Sequence, residues 1–222
     1  MSQIIVVAPH PDDETLGCGG TLLRHKNEGH DIHWLIVTSV KEEDGYNCEV
    51  VDNRRLEIDK VREAYGFTSV SELKFSTAKL DVYPKSDLIA DISSVFNQIK
   101  PDTLYLPYRN DVHSDHEIVF DVAISCTKSF RYPYIKNVLV YETLSETEFT
   151  ARPDSNSFKP NCWIEISNYL EQKIDIMRIF KSEINEHPFP RSESNIRALA
   201  TLRGATAGVN AAEAFMIVKQ IK

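Results

Sequence analysis

The sequence predicts an α/β fold with a mostly parallel central sheet and helices on both of its faces. Apolar runs of strand length alternate with longer segments of helical periodicity, which is the pattern of βαβ units. Polar motifs directly follow two of the apolar runs, as functional loops do at the carboxyl edge of a parallel sheet. The predicted architecture is therefore a Rossmann-like three-layer sandwich.

The first two thirds of the chain supply these elements in regular order. Because right-handed crossovers return each strand in the same direction, the loops after the strands should collect along one edge of the sheet. In chain order, the predicted elements are strand 4–8, helix 14–28, strand 33–38, helix 53–65, helix 86–99, strand 103–107, helix 115–128 and strand 137–141.

Beyond these elements the pattern is less regular. A strand is predicted at 162–167, an amphipathic helix at 168–185, and a further helix at 208–221 after a pair of glycines. The sequence contains no internal repeat, and 222 residues with 42% hydrophobic content suffice for one substantial core. We therefore expect a single domain, residues 1–222.

Composition argues against several kinds of partner. The formal charge is −8, and no basic run is present, so neither nucleic acid nor an anionic membrane is expected as a partner. No targeting segment or membrane-spanning run is recognisable, which predicts a cytoplasmic protein. The four cysteines form no CxxC pair, so neither a zinc-thiolate site nor a redox dithiol is predicted.

Two short clusters carry the candidate chemistry. The segment 10–14, His-Pro-Asp-Asp-Glu, follows the first predicted strand, and the segment 113–116, His-Ser-Asp-His, follows the strand at 103–107. Crowded carboxylates raise each other's pKa, so a cation or a helix N-terminus is expected to neutralise them. Both clusters lie at the same predicted sheet edge and should meet there.

The residue types favour a catalytic metal site. Two imidazoles and one carboxylate leave an open position for water, as catalytic zinc sites do. His10 and Asp13 suit one metal ion, and His116 would complete the set, while Asp12 stays free to act as general base on the metal-bound water. We predict one Zn²⁺ per chain, although Fe²⁺ or another divalent ion suits the same ligands.

The other members of the second cluster have supporting roles. His113 is expected to face the developing oxyanion, with its charged form stabilising negative charge and later protonating the leaving amine. Asp115 could orient an imidazole, either His113 or His116, from behind. The spacing alone leaves that choice open.

Structural interpretations compete with these roles. Asp12, Asp13 and Glu14 could decorate the first turn of a helix, and Ser114-x-x-Glu117 matches a capping box. Two such clusters at one sheet edge favour a site over either cap alone.

Other motifs are given structural roles. The glycine-rich segment 17–20 lacks the spacing of a dinucleotide-binding motif, so tight packing of a helix against the sheet is its predicted purpose. His25, His30, His33 and His187 have no partners at ligand spacing and are predicted to be surface or structural residues.

With these motifs in place, the chain resembles the PIG-L (LmbE-like) deacetylases, zinc-dependent enzymes that remove acetyl groups from N-acetylglucosamine-type sugars and conjugates. The resemblance covers most of the chain. It rests on Ala8-Pro9-His10-Pro11-Asp12-Asp13-Glu14 with Leu16-Gly17-Cys18-Gly19-Gly20, on Arg54-x-x-Glu57, on Pro101-Asp102, on His113-x-Asp115-His116, and more weakly on Arg203-Gly204 and Ala212-Glu213-Ala214-Phe215.

The resemblance implies the same ligands, the same base and the same role for His113, and it adds Arg54 as a substrate contact. An alternative for Arg54 is a helix-surface pair with Glu57 at i,i+3. Segments 40–53, 76–86 and 145–161 are the expected specificity walls.

The predicted function is zinc-dependent hydrolysis of the N-acetyl group of a small N-acetylglucosamine-type sugar or conjugate, with a homo-oligomer possible. One alternative is a metallohydrolase acting on a different acyl group or on a phosphoester. The other is a sugar- or nucleotide-binding module without catalysis, because a fold alone does not determine a function.

Overall fold

The structure, a computed structural model, describes residues 1–150 and 157–222. Seven of its strands form one mixed sheet in the order β3-β2-β1-β4-β5-β7-β6. The strands are β1 (Gln3–Ala8), β2 (Asp31–Ser39), β3 (Ser69–Ser76), β4 (Thr103–Pro107), β5 (Asn137–Tyr141), β6 (Cys162–Glu165) and β7 (Ala212–Gln220). The α-helices are α1 (Asp13–Asn27), α2 (Cys48–Tyr65), α3 (Lys85–Ile99), α4 (Ser114–Ser125), α5 (Leu170–Met177) and α6 (Glu193–Ala207).

The first five strands pair in parallel, and β7 pairs antiparallel with both β5 and β6. Side chains alternate across β1, so that Ile4 and Val6 face one apolar cluster while Ile5 and Val7 face the other. Helices α1, α2, α5 and α6 cover the first cluster, and α3 and α4 cover the second. The predicted α/β architecture with helices on both faces is confirmed.

The glycine-rich segment packs α1 against the sheet as predicted. A Cβ atom at Gly17 would lie 2.2 Å from Cδ2 of Tyr141, and one at Gly20 would lie 2.7 Å from Ile166. The Tyr141 hydroxyl in turn donates a hydrogen bond of 2.8 Å to the carbonyl of Val7. The absence of side chains at these glycines allows α1 to approach the strands closely.

Two predictions for the C-terminal third were wrong. The segment 208–221 was predicted to be a helix, but Ala212–Gln220 forms a strand, and the helix Glu193–Ala207 precedes it. A short apolar run does not distinguish a buried strand from a helix by periodicity alone. The amphipathic segment predicted to be helical over 168–185 is helical only over Leu170–Met177.

The edge strand Ser69–Ser76 was also not predicted, because its side chains are mostly polar and only partly buried. All described strands belong to one sheet, which supports the proposal of a single domain. Within the two described ranges, no helix is both long enough and apolar enough to cross a bilayer.

Candidate functional site

The two sequence clusters meet at the carboxyl ends of β1 and β4. These strands are neighbours at the point where the order of the parallel strands reverses, which is the usual ligand-binding crevice of such sheets. The His10 ring lies after β1, with its centroid 4.4 Å from that of His113 and 5.5 Å from that of His116. The tertiary structure therefore brings together residues about a hundred positions apart.

His10, Asp13 and His116 form a donor set suited to a cation. Their ligand atoms all lie within 4.8 Å of one another. Oδ2 of Asp13 lies 3.4 Å from Nδ1 of His10 and 3.3 Å from Nε2 of His116. That buried Nε2 makes no hydrogen bond to any described residue. An unbonded nitrogen beside a carboxylate and a second imidazole fits a divalent metal ion.

Asp115 orients His10. Its Oδ2 atom lies 3.0 Å from Nε2 of His10 and also accepts a hydrogen bond of 2.8 Å from the backbone N–H of Ala78. This contact leaves Nδ1 of His10 facing Asp13. The sequence had left the choice between His113 and His116, and that expectation was wrong because the chain after β3 turns the Asp115 carboxylate towards His10.

Asp111 holds the other imidazole and was missed in the sequence. Its Oδ2 atom lies 2.8 Å from Nδ1 of His116, and its Oδ1 atom accepts a hydrogen bond of 2.6 Å from the Thr147 hydroxyl. A carboxylate behind a ligand histidine fixes the ring and raises its basicity. In the sequence, Asp111 is an aspartate in the loop after β4, five residues before His116. This spacing alone does not identify it as the partner of that histidine.

The charges of the cluster show its need for a cation. Burial lowers the pKa of His10, but hydrogen bonds with Asp115 and Asp13 outweigh it and raise the pKa to about 9. Burial likewise opposes the protonation of His116, but the charges of Asp13 and Asp111 raise its pKa well above 6.5. The carboxylates thus stabilise positive charge between the two rings. Protons or a metal ion can supply this charge.

Asp12 has the environment of a general base. Burial, followed by the charge of Asp13, raises its pKa well above 3.8. Its carboxylate makes no hydrogen bond to the part of the chain that the structure describes, and its φ angle is 135°. Strained backbone of this kind persists only where neighbours enforce it. Here the Glu14 carboxylate accepts a hydrogen bond of 3.0 Å from the Asp12 N–H, and Arg54 donates one of 3.1 Å to the Pro11 carbonyl.

The structural interpretation of the first cluster holds in part, because Asp13 and Glu14 lie in the first turn of α1. Asp12 stands at the N-cap of α1 without a side-chain capping bond. The helix α4 begins at Ser114, so Ser114 is not its cap, and the N-cap is His113. The predicted capping box from Ser114 to Glu117 was therefore wrong. Glu14 has a structural role, since it is buried, accepts the Thr15 hydroxyl as well as the Asp12 N–H, and has its pKa raised to about 8 chiefly by burial.

His113 is neutral in this environment, contrary to the expected charged form. Burial, and then the charges of His10 and His116, lower its pKa to about 4. Its Nδ1 atom accepts a hydrogen bond of 3.1 Å from the backbone N–H of Asp115. The ring proton therefore resides on Nε2, which makes that atom a hydrogen-bond donor.

Arg54 takes part in a charged network that also lines the site. Its Nη2 group donates to the Ser182 hydroxyl at 3.1 Å and to the Glu183 carboxylate, which also accepts from Nη2 of Arg191 at 2.9 Å. The predicted pair with Glu57 is present as a longer contact of 3.6 Å. Arg54 therefore stabilises the turn before Asp12 and also lines the site.

A cavity of about 390 Å³ opens onto these groups. The expected wall segments contribute Val40, Tyr46 and Val50 from 40–53, Thr77 from 76–86, and Glu146 from 145–161. Residues 151–156 of the last segment lie outside the described residues.

Comparison with known proteins identifies a family whose sequence model spans both clusters. The sequence model of the family described as PIG-L, GlcNAc-PI de-N-acetylase, matches residues 5–127, which include both clusters. Diacetylchitobiose deacetylase from Thermococcus kodakarensis is 26% identical, and the match covers 100% of this chain and 85% of that protein.

Solved structures share the fold. The N,N'-diacetylchitobiose deacetylase of Pyrococcus horikoshii has a TM-score of 0.79 at 20% identity, and the match covers 98% of this chain and 84% of that one. The 4-carboxy-2-hydroxymuconate hydratase GalB of Pseudomonas putida has a TM-score of 0.77 at 16% identity, with coverage of 100% and 98%. One fold therefore carries different chemistries, and the function has to be argued from the site.

Proposed function

Because this chain belongs to the PIG-L family, whose sequence model matches more than half of it, we propose that it is a metal-dependent amide hydrolase. In this proposal it removes the acetyl group from the nitrogen of a small N-acetylglucosamine-type sugar or sugar conjugate. The observation that carries the proposal is the cavity where the unbonded carboxylate of Asp12 lies beside His10, Asp13 and His113.

His10, Asp13 and His116 hold the metal in this proposal. Two imidazoles and a carboxylate are a donor set of catalytic zinc, and Fe²⁺ also suits them. When bound, the divalent ion would lower the pKa of water and polarise the acetyl carbonyl. Asp115 and Asp111 keep the two rings in the ligand orientation through their hydrogen bonds.

The proton steps belong to Asp12 and His113. Asp12 takes a proton from the attacking water as the water oxygen bonds to the acetyl carbon. His113 donates a hydrogen bond from Nε2 to the carbonyl oxygen as negative charge develops there. When the carbon–nitrogen bond breaks, the proton held by Asp12 passes to the leaving amine. The products are acetate and the amino sugar.

The substrate proposal follows from the walls of the cavity. Arg54, carried over from the family motif, lines it together with Glu183 and Arg191, and this mixture of charges suits sugar hydroxyls. A second cavity of about 520 Å³ shares Pro11, Val40 and Arg54 with the first. Their adjacency favours a conjugate or an oligosaccharide over a single sugar.

The decisive experiment is acetate release from N-acetyl sugars offered free, linked as disaccharides, and as phosphorylated or nucleotide conjugates. Activity should disappear with a chelator and return with zinc. Asp12→Asn should abolish turnover with the metal content unchanged, whereas Asp59→Asn on the exposed face of α2 is the matched control and should be fully active. Normal turnover by Asp12→Asn would refute the base assignment.

The same panel separates the rival functions. Phosphate release from the phosphorylated sugars without acetate release would indicate a phosphoesterase. Ligand binding without any product would indicate a binding module. The cytoplasmic location and a homo-oligomeric state remain predictions, which cell fractionation and size determination in solution can test.

A further inference from the structure

A second group of metal-binding side chains lies at the far end of α1. His25, Glu28 and His30 offer ligand atoms that all fall within 4.8 Å of one another. The helix between them and the catalytic cluster has 15 residues, which puts this group about 20 Å from Asp13. The sequence-based view that His25 and His30 have no partner was wrong, because it overlooked the sharp turn after the helix.

The turn is made by Gly29, whose φ angle of 82° is easily adopted only without a side chain. The chain then folds back so that the N–H of His30 donates to the carbonyl of His25 at 3.0 Å. As a result, the two imidazole centroids lie 5.7 Å apart. Glu28 lies between them.

The three donor atoms converge without bonding one another. Arg24 donates from Nε to Oε1 of Glu28 at 2.8 Å, which leaves Oε2 available. That Oε2 atom is 3.9 Å from Nδ1 of His25 and 3.8 Å from Nε2 of His30. Both distances are longer than the donor–acceptor distance of a hydrogen bond. They are close to the roughly 3.4 Å between ligands of a tetrahedral zinc ion with bonds of 2.0–2.1 Å.

An orphaned nitrogen is the independent observation. Nδ1 of His25 is buried and has no hydrogen-bond partner within residues 1–150 and 157–222. Its ring is fixed from behind, since Nε2 lies 2.8 Å from the Tyr105 hydroxyl. A buried polar atom without a partner is costly, and a ligand removes that cost. The Tyr105 contact also gives the ring the support that ligand histidines usually have.

We propose that His25, Glu28 and His30 form a second divalent metal site, separate from the catalytic cluster. The site takes zinc or a similar nitrogen-binding transition metal, with water in the open positions. His30 binds through Nε2, so its ring proton moves to Nδ1 and the long contact of 3.4 Å from the Ser2 N–H is given up. The bound ion cross-links the C-terminus of α1 to the residue before β2.

The test is a count of zinc ions per chain by equilibrium dialysis and elemental analysis. His30→Gln and Glu28→Gln should each hold about one ion fewer than the wild-type chain, and zinc should raise their melting temperature less. His187→Gln, which changes an exposed histidine elsewhere, is the matched control and should bind as the wild type does. The quantity compared is the number of zinc ions bound per variant chain against the number per wild-type chain. This difference does not depend on the ion bound in the catalytic pocket.

Two further variants keep the result interpretable. His116→Ala should lose the catalytic ion and retain the one at His25, and adding His30→Gln to it should remove that ion as well. Equal zinc content in the wild type, His30→Gln and Glu28→Gln would overturn the proposal. So would a His116→Ala chain that binds no zinc at micromolar concentrations while remaining folded by circular dichroism.

Discussion

Nζ of Lys173 lies 2.6 Å from Oε1 of Glu213, and both side chains are buried. The pair joins the two halves of α1 across a break at Cys18, whose φ and ψ angles are non-helical. Glu213 accepts the N–H groups of Gly20 and Thr21 at 2.9 and 2.8 Å, and Lys173 donates to the Leu16 carbonyl at 2.9 Å. The backbone groups released by the break are thus satisfied from α5 and β7.

Removing one partner of this pair should be costly. Lys173→Met leaves a buried carboxylate without its counter-charge, and we expect a loss of about 3–5 kcal/mol in the free energy of unfolding. Urea denaturation measures it. Lys173→Met combined with Glu213→Gln should be less destabilised than the sum of the single variants. Additive losses would show that the two side chains act independently.

Asp111 should control metal affinity. Asp111→Ala removes the carboxylate that holds Nδ1 of His116, and we expect metal affinity to fall by about 10–100-fold. Competition with a chromogenic chelator measures the change. Asp111→Asn keeps an acceptor for the ring N–H and should lose less. Unchanged affinity in both variants would contradict the role given to this carboxylate.

His113 should act on turnover rather than on metal retention. His113→Ala removes the donor that we propose for the developing oxyanion, and loss of one such donor lowers kcat by about 10²–10³-fold. Steady-state kinetics and elemental analysis test this together, with KM and metal content expected near the wild-type values. His113→Gln keeps a side-chain N–H group and should recover part of the loss. A metal-free His113→Ala protein would instead make His113 a ligand.

His33 should contribute to the acid sensitivity of stability. Burial lowers the pKa of His33 below 6.5, and its ring contacts the Ser69 hydroxyl and the Gln3 amide oxygen at 2.8 Å each. The unfolded chain therefore binds a proton that the folded chain resists, so this contribution is present above pH 6.5 and falls away below it. Urea unfolding of His33→Gln between pH 7.5 and 5 should show a shallower decline than the wild type. A decline parallel to the wild type would count against this contribution.

The sequence by itself determined the α/β class and the turns that carry the site. Alternating apolar runs have few other ways to be buried, and the motif types at 10–14 and 113–116 limit the chemistry. The three proposed ligands and the proposed base were assigned from these short segments. The buried strand at Ala212–Gln220 was missed because a short apolar run carries no distinguishing period.

Only the tertiary structure decided which side chains support the site. Asp115 reaches His10 because β1 and β4 are adjacent in the sheet, a relation between strands far apart in the chain. Asp111 reaches His116 through the local fold of the loop between β4 and α4. Burial likewise makes His113 neutral, although a charged ring was predicted from its proposed role. Hydrogen-bond partners and pKa values depend on distances and desolvation, and these arise only when distant segments of the chain pack together.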